Sequence, residues 1–106
     1  MQVGSRKFEN LTQPEIAKEL SENPLVILPT GSIEQHGAHL PAGTDIFAAE
    51  AVSEEVAKLM GGLILPGGSL GVTPMHMPYE ATISLTPETY MKLIFDICNS
   101  AAVHGA

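Results

Sequence analysis

The sequence has no tryptophan, only one cysteine, and few aromatic or basic residues. A single cysteine, Cys98, cannot form a disulfide within the chain, so internal cross-links are excluded. Its place in a predicted amphipathic helix favours a buried role as a small apolar side chain. With three Phe and two Tyr, a core must be built mainly from aliphatic side chains, which bury less area each. A length of 106 residues allows one small domain, residues 1–106.

Lysine and arginine total five against twelve acidic residues, giving a formal net charge of −7 at pH 7. This balance argues against a nucleic-acid partner, which would require a basic surface. A hydrophobic fraction of 44% and a charged fraction of 16% are typical of a globular domain. No apolar run is long enough to span a membrane, and the first residues lack the apolar region of a signal peptide. We therefore expect a cytoplasmic protein without a membrane partner.

Capping residues and hydrophobic periodicity predict three helices, over residues 13–22, 45–60 and 86–103. Thr12 and Glu15 have capping-box spacing before the first helix, and Thr86 precedes Pro87 as a cap before the third. Gly61 is positioned to end the second helix. The predicted buried stripes consist of Ile16 and Leu20 in the first helix, of Ile46, Ala49, Val52, Val56 and Met60 in the second, and of Tyr90, Leu93, Ile94, Ile97, Cys98 and Ala101 in the third.

Two short apolar runs between these helices predict strands, Leu25–Leu28 and Leu63–Leu65, and Thr82–Leu85 is a possible third strand. Four continuous apolar residues indicate a strand covered on both faces, as in a parallel sheet. Strands that alternate with helices predict an α/β fold, a three-layer sandwich in which helices flank a mainly parallel sheet. Two central strands are few for a stable sheet, so we expect the domain to be incomplete at its C-terminal end or dependent on neighbours.

The loop after the first predicted strand is dense in potential metal ligands. Glu34, His36, His39 and Asp45 lie within twelve residues, and ligand sites in open α/β sheets lie at the carboxyl ends of strands. Carboxylates and imidazoles are the usual ligands of Zn²⁺ and Mn²⁺. Glu34 and His36 are two residues apart, so in extended backbone they point to the same side. The spacing supports a metal-site hypothesis, although it is not a known zinc signature.

A plainer interpretation of the same loop stands beside that hypothesis. A histidine in a polar loop is usually solvated, and the surrounding Gly and Pro residues can serve turns alone. Ser32 and Thr44 are expected to hold the loop through bonds from their side chains to the backbone, rather than to act as nucleophiles.

The segment Gly31–Asp45 also carries a family resemblance. It reads Gly-Ser-Ile-Glu-Gln-His-Gly-Ala-His-Leu-Pro-Ala-Gly-Thr-Asp, and it is similar to the creatininase (creatinine amidohydrolase) pattern G-S-x-E-Q-H-G-x-H-L-P-x-G-T-D. The resemblance extends over most of the chain, from about Leu11 to Ala106, as an N-terminal portion of the family.

The resemblance implies that Glu34, His36 and Asp45 are ligands of two divalent metal ions, zinc or manganese. Asp45 would bridge the ions, Glu34 would bind one and His36 the other, and His39 would support the site. A water shared by two ions becomes a hydroxide nucleophile near neutral pH. The implied activity is hydrolysis of the C–N bond of a small-molecule amide or cyclic amide. The family also implies a homo-oligomer, often a hexamer.

Two departures from the family pattern concern the rest of the site. The family takes a further His and a Glu from segments beyond residue 106, so this chain is expected to supply only part of the metal site. In the second loop, Glu80-Ala81 replaces the Pro-Gly that often follows a family histidine. This loop borders the substrate pocket in the family, so the resemblance makes His76 and Glu80 candidates for contact with substrate. For His76 a plain loop role is the favoured interpretation.

Three hypotheses remain at this point. The chain is part of an active amidohydrolase, or a metal-binding or assembly module without catalysis, or a structural remnant whose loop residues serve turns. Metal bound by Glu34, His36 and Asp45 would exclude the third, and turnover would separate the first from the second.

Overall fold

The computed structural model describes residues 5–106. Residues 1–4, which belong to the segment predicted to lack a signal peptide, lie outside the described residues. The helices are α1 (Gln13–Glu22), α2 (Thr44–Met60) and α3 (Pro87–Val103), and the strands are β1 (Val26–Ile27) and β2 (Leu63–Ile64). Two short 3₁₀ helices, Phe8–Asn10 and Pro74–His76, were not anticipated from the sequence.

β1 and β2 form a parallel pair, and α2 makes the crossover between them. Val26 lies opposite Leu63 and Ile27 opposite Ile64. The other edge of β2 pairs with the N-terminal segment, where Ile64 N–H donates to the Arg6 carbonyl at 2.7 Å. Helices that flank a small parallel sheet confirm the predicted α/β fold.

The predicted helix ends are confirmed by their capping bonds. Thr12 donates to Glu15 Oε1 through its N–H at 2.9 Å and its hydroxyl at 2.8 Å. The Thr86 hydroxyl accepts from Thr89 N–H at 3.3 Å. Gly61 ends α2 with a φ of 79°, a left-handed conformation that costs glycine little. The α2 helix begins at Thr44, one residue earlier than predicted.

The buried core is small and centres on β2. Its apolar members are Leu20, Ile46, Ala57, Leu63, Ile64, Leu65 and Ala101. The prediction that Leu25–Leu28 is covered on both faces is wrong, because all four residues are only half-buried. β1 has a single strand neighbour in the described part of the chain, so it is an edge strand there. The Thr82–Leu85 segment forms isolated bridges, Ile83 with Ile33 and Ser84 with Gly71, in place of a strand.

Two predicted buried stripes need correction. On α2, Val52 and Met60 are 64% and 59% exposed, and the small side chains of Ser53 and Ala57 are buried instead. The helix therefore presents a slightly rotated, narrower face to β2. On α3, Cys98 is exposed, contrary to the prediction. Four half-buried residues and the buried Ala101 form a narrow row along the helix, and Cys98 lies beside this row. The four are Tyr90, Leu93, Ile94 and Ile97.

None of the helices within residues 5–106 combines the length and apolar character that crossing a bilayer requires.

Candidate metal centre

The loops that follow β1 and β2 lie against each other and build the site. Gly31 N–H donates to the Gly68 carbonyl at 2.9 Å, and Ile83 N–H donates to the Ile33 carbonyl at 2.9 Å. A Cβ on Gly68 would lie 1.9 Å from the Pro29 carbonyl oxygen. Only glycine permits this approach, so the loop sequence itself allows the two strand ends to meet.

Three side chains from the first loop and the start of α2 converge. One ligand atom each from Glu34, His36 and Asp45 lies within 4.8 Å of the others, and all three residues are half-buried. Asp45 is the second residue of α2, where the helix dipole favours a negative charge. The resemblance to the creatininase pattern implied these three residues as ligands, and the fold brings them together.

The orientation of His36 leaves its Nε2 atom directed at this cluster. His36 Nδ1 lies 2.9 Å from the Glu34 carbonyl oxygen, which can only accept a hydrogen bond, so Nδ1 carries a proton. Nε2 lies 3.5 Å from Asp45 Oδ2. In the neutral ring, a nitrogen lone pair then faces a carboxylate, an arrangement that is favourable only when a metal ion or a proton on Nε2 lies between them. A Nδ1–H bonded to a backbone carbonyl is the usual orientation of a metal-binding histidine.

Asp45 is held by a neighbour from the same loop. The Ser32 hydroxyl donates to Asp45 Oδ2 at 3.1 Å. The expected bond from Ser32 to the backbone is therefore replaced by a bond to a side chain. The corresponding expectation for Thr44 is confirmed, because its hydroxyl donates to the Pro41 carbonyl at 2.6 Å.

Glu34 is held from the second loop by a residue that sequence analysis missed. The hydroxyl of Thr73, which is 2% exposed, donates to Glu34 Oε2 at 2.5 Å. This bond is the main reason that the pKa of Glu34 is lowered from its ordinary value, against the opposing effect of burial. No feature of the sequence distinguishes Thr73 from other loop threonines, apart from its place after β2.

His76 lies beside the same carboxylate. Its Nε2 is 3.8 Å from Glu34 Oε2, and its Nδ1 is 3.0 Å from Gln35 Nε2. His39 and Glu80 are exposed. Within residues 5–106 neither of these two side chains hydrogen-bonds to the three clustered residues, so their supporting or substrate-contacting roles remain predictions.

The donor set suits a divalent transition metal. Two carboxylates and one imidazole are the ligand types that zinc and manganese accept. Ser32 and Thr73 each occupy one carboxylate oxygen, which fixes the orientation of both acids as the partners of metal ligands usually do. Fold and site together define an α/β domain with a candidate metal site at the carboxyl ends of parallel strands.

Comparison with known proteins identifies the family. The creatininase profile, described as creatinine amidohydrolase, matches residues 9–106, so the chain belongs to the creatininase family. It is 36% identical over 88 residues to a mycofactocin precursor peptide peptidase of Mycobacterium ulcerans. It is 34% identical over 87 residues to the creatinine amidohydrolase of Pseudomonas putida. These alignments cover 74% and 77% of this chain but only 35% and 34% of the relatives, so the chain spans about a third of their length.

Solved structures agree with that assignment. A crystal structure of creatinine amidohydrolase superposes with a TM-score of 0.91 at 30% identity, covering 98% of this chain and 42% of that one. Two further neighbours are described as a manganese creatininase and as a mutant creatininase of Zn–Zn type, each with a TM-score of 0.90.

Proposed function

We propose that this chain contributes to a metal-dependent hydrolase that cleaves the C–N bond of a small-molecule amide or cyclic amide. Glu34, His36 and Asp45 would hold two divalent ions, zinc or manganese, with Asp45 shared between them. The chain would supply part of the site, and the protein would act as a homo-oligomer.

One observation carries the proposal: His36 Nε2 faces Asp45 Oδ2 at 3.5 Å while its Nδ1 is committed to a backbone carbonyl. A metal ion is the cation that suits this gap, since Glu34 supplies a third ligand atom within 4.8 Å. The comparisons also support a metal-dependent amide hydrolase. One relative is named creatinine amidohydrolase, and the names of two solved neighbours include Mn and Zn–Zn.

The residues of this chain would divide the work at the site. Asp45, at the N-terminal end of α2 and bonded to Ser32, would be the ligand shared by both ions. The Thr73 hydrogen bond lowers the pKa of Glu34, which favours the ionised form that a metal ligand requires. Two bound ions would supply a hydroxide nucleophile at neutral pH.

Three side chains are too few for two ions. Zinc sites commonly use three or four protein ligands for each ion. With Asp45 shared, each ion would have only two ligands from this chain. We propose that a His and a Glu from outside these residues complete the set, as the family resemblance implies. The substrate is proposed only as a class, because relatives of similar identity are named for different substrates, creatinine and a peptide among them.

The test is metal-dependent turnover. The protein, together with the segments proposed to supply the further His and Glu, is stripped of metal, reloaded with Zn²⁺ or Mn²⁺, and assayed with creatinine and with a panel of small amides. His36→Ala is compared with His104→Ala, a change at an exposed histidine at the end of α3.

We expect hydrolysis that requires the metal, survives in His104→Ala and falls at least about a hundredfold in His36→Ala. Metal binding without hydrolysis of any amide would favour a non-catalytic metal-binding or assembly module. Turnover that persists without metal would contradict the proposal.

A further inference from the structure

Gln35 precedes His36 in the chain and contacts His76, and its side-chain amide has a fixed orientation. Gly37 N–H points at Gln35 Oε1 at 3.0 Å. A backbone N–H can only donate, so the atom it contacts must be the amide oxygen. The other end of the amide, the NH₂ group, is then the atom that lies 3.0 Å from His76 Nδ1.

This orientation decides which nitrogen of His76 carries the proton. The Gln35 NH₂ group can only donate, so His76 Nδ1 must accept and cannot bear a hydrogen. The proton of the neutral ring is therefore on Nε2. His36 has the opposite arrangement, with its proton on Nδ1 and its Nε2 lone pair directed at Asp45.

The Nε2–H of His76 has no strong acceptor in the described structure. Glu34 Oε2 is the nearest carboxylate oxygen, at 3.8 Å, beyond hydrogen-bond range. That oxygen already accepts from Thr73 at 2.5 Å. The His76 side chain is about a third exposed, at 32%, so an incoming group can reach it.

We propose that Gln35 is a positioning residue that holds His76 as a neutral Nε2–H donor at the Glu34 side of the site. His76 is then not a metal ligand, because the nitrogen that faces Glu34 carries a proton. It would donate to an acceptor oxygen of the substrate, an amide carbonyl being the class that fits. This last step rests on the proposed function, whereas the tautomer and its cause do not.

Nitrogen NMR measures the tautomer directly. Long-range ¹H–¹⁵N correlations of the histidine rings are recorded on the metal-free protein at alkaline pH, where a free imidazole is neutral. We expect His76 to show a protonated Nε2 and His36 a protonated Nδ1. The exposed His104 serves as an internal reference. A His76 ring protonated on Nδ1 would overturn the inference.

Gln35→Glu provides the matched variant. Its two carboxylate oxygens can accept from both Gly37 N–H and a His76 Nδ1–H, so we expect the His76 tautomer to switch. Addition of Zn²⁺ should then perturb His76 Nε2 in Gln35→Glu, while in the unaltered protein it perturbs His36 and leaves the His76 tautomer in place. An unchanged His76 tautomer in the folded variant would contradict the role of Gln35.

The two proposals fail separately in this experiment. Zn²⁺ that leaves His36 unaffected would contradict the metal-dependent function, while the expected His76 tautomer in the same sample would still support the inference. If Gln35→Glu does not fold, Gln35→Ala takes its place: without the NH₂ donor both His76 tautomers should be populated, and a ring that stays protonated on Nε2 alone would contradict the role of Gln35.

Discussion

The Thr73 hydroxyl donates a 2.5 Å hydrogen bond to Glu34 Oε2 from a residue 39 positions away in the chain. Thr73 N–H in turn donates to Ser84 Oγ at 2.9 Å. Thr73 thus connects a candidate metal ligand on the loop after β1 to the loop after β2. The orientation of Glu34 therefore depends on how these two loops pack.

Removal of the Thr73 hydroxyl should weaken metal binding. Thr73→Val keeps the side-chain shape but loses the donor, so we expect zinc affinity to fall about tenfold, as when partners of ligating groups are removed. Thr73→Ser retains the hydroxyl and should stay within about threefold of the original affinity. Competition titration with a chromophoric chelator measures both. Equal affinities for the valine and serine variants would contradict a role for this bond.

The same bond should be visible in the pH dependence of the metal-free protein. The folded pKa of Glu34 lies below its ordinary value of 4.5, so its ionised form stabilises the fold. That contribution is fully present above the ordinary value and is lost as pH falls through the lowered folded pKa. In Thr73→Val the Glu34 midpoint should move upward, and side-chain carboxyl ¹³C NMR follows it. If the Glu34 midpoint is the same in Thr73→Val as in the original protein, the lowered pKa of Glu34 has another cause.

Gly68→Ala should disrupt the contact between the loops. The added Cβ would lie 1.9 Å from the Pro29 carbonyl oxygen, a backbone atom that cannot move without displacing the first loop. We expect a loss of about 3 kcal/mol in the free energy of unfolding. Thr30→Ala changes the exposed residue that follows Pro29 in the first loop. It should change the free energy of unfolding by less than about 0.5 kcal/mol. Urea denaturation compares the two, and a mild effect of Gly68→Ala would show that the loops can separate.

Ala81→Gly should stabilise the protein slightly. Ala81 has a φ of 74°, and no other non-glycine residue among those described has a positive φ. This conformation costs a residue with a Cβ about 1–2 kcal/mol, partly offset by the greater chain entropy of glycine when unfolded. We expect a gain of about 0.5 kcal/mol. Ala51→Gly, at an exposed position within α2, should instead lose about 1 kcal/mol. Thermal unfolding of the two variants should therefore shift in opposite directions.

The backbone at Ala81 shows what one departure from the family pattern has to accommodate. The creatininase pattern often has Pro-Gly where this chain has Glu80-Ala81, and the backbone at position 81 adopts the left-handed conformation that glycine accepts readily. A substitution can be read from a sequence, but the backbone angle it must accommodate cannot.

Much of the fold and of the ligand cluster was predictable because the signals are local. Thr12, Thr86 and Gly61 marked helix ends through capping chemistry that involves only neighbouring residues. Glu34, His36 and Asp45 lie in one continuous motif, so their convergence needed only the turn between β1 and α2.

Features that depend on contacts between distant segments were not predictable. Thr73 meets Glu34 only because β1 and β2 are parallel neighbours and their loops touch. The exposure of Cys98 and Val52 depends on how far each helix is rotated, which a periodic pattern fixes only to about one residue. The half-buried state of Leu25–Leu28 depends on how many strands lie beside β1, which the apolar run does not specify.

The central claim is that Glu34, His36 and Asp45 form a metal site, and retained metal tests it most directly. The protein, together with the segments proposed to supply the further His and Glu, is dialysed against metal-free buffer. Its zinc and manganese content per chain is measured alongside Asp45→Asn and the control Asp96→Asn, an exposed position on α3. The account predicts stoichiometric metal in the original protein and in Asp96→Asn, with metal lost in Asp45→Asn. An original protein without bound metal, or an Asp45→Asn variant that retains it in full, would contradict the account.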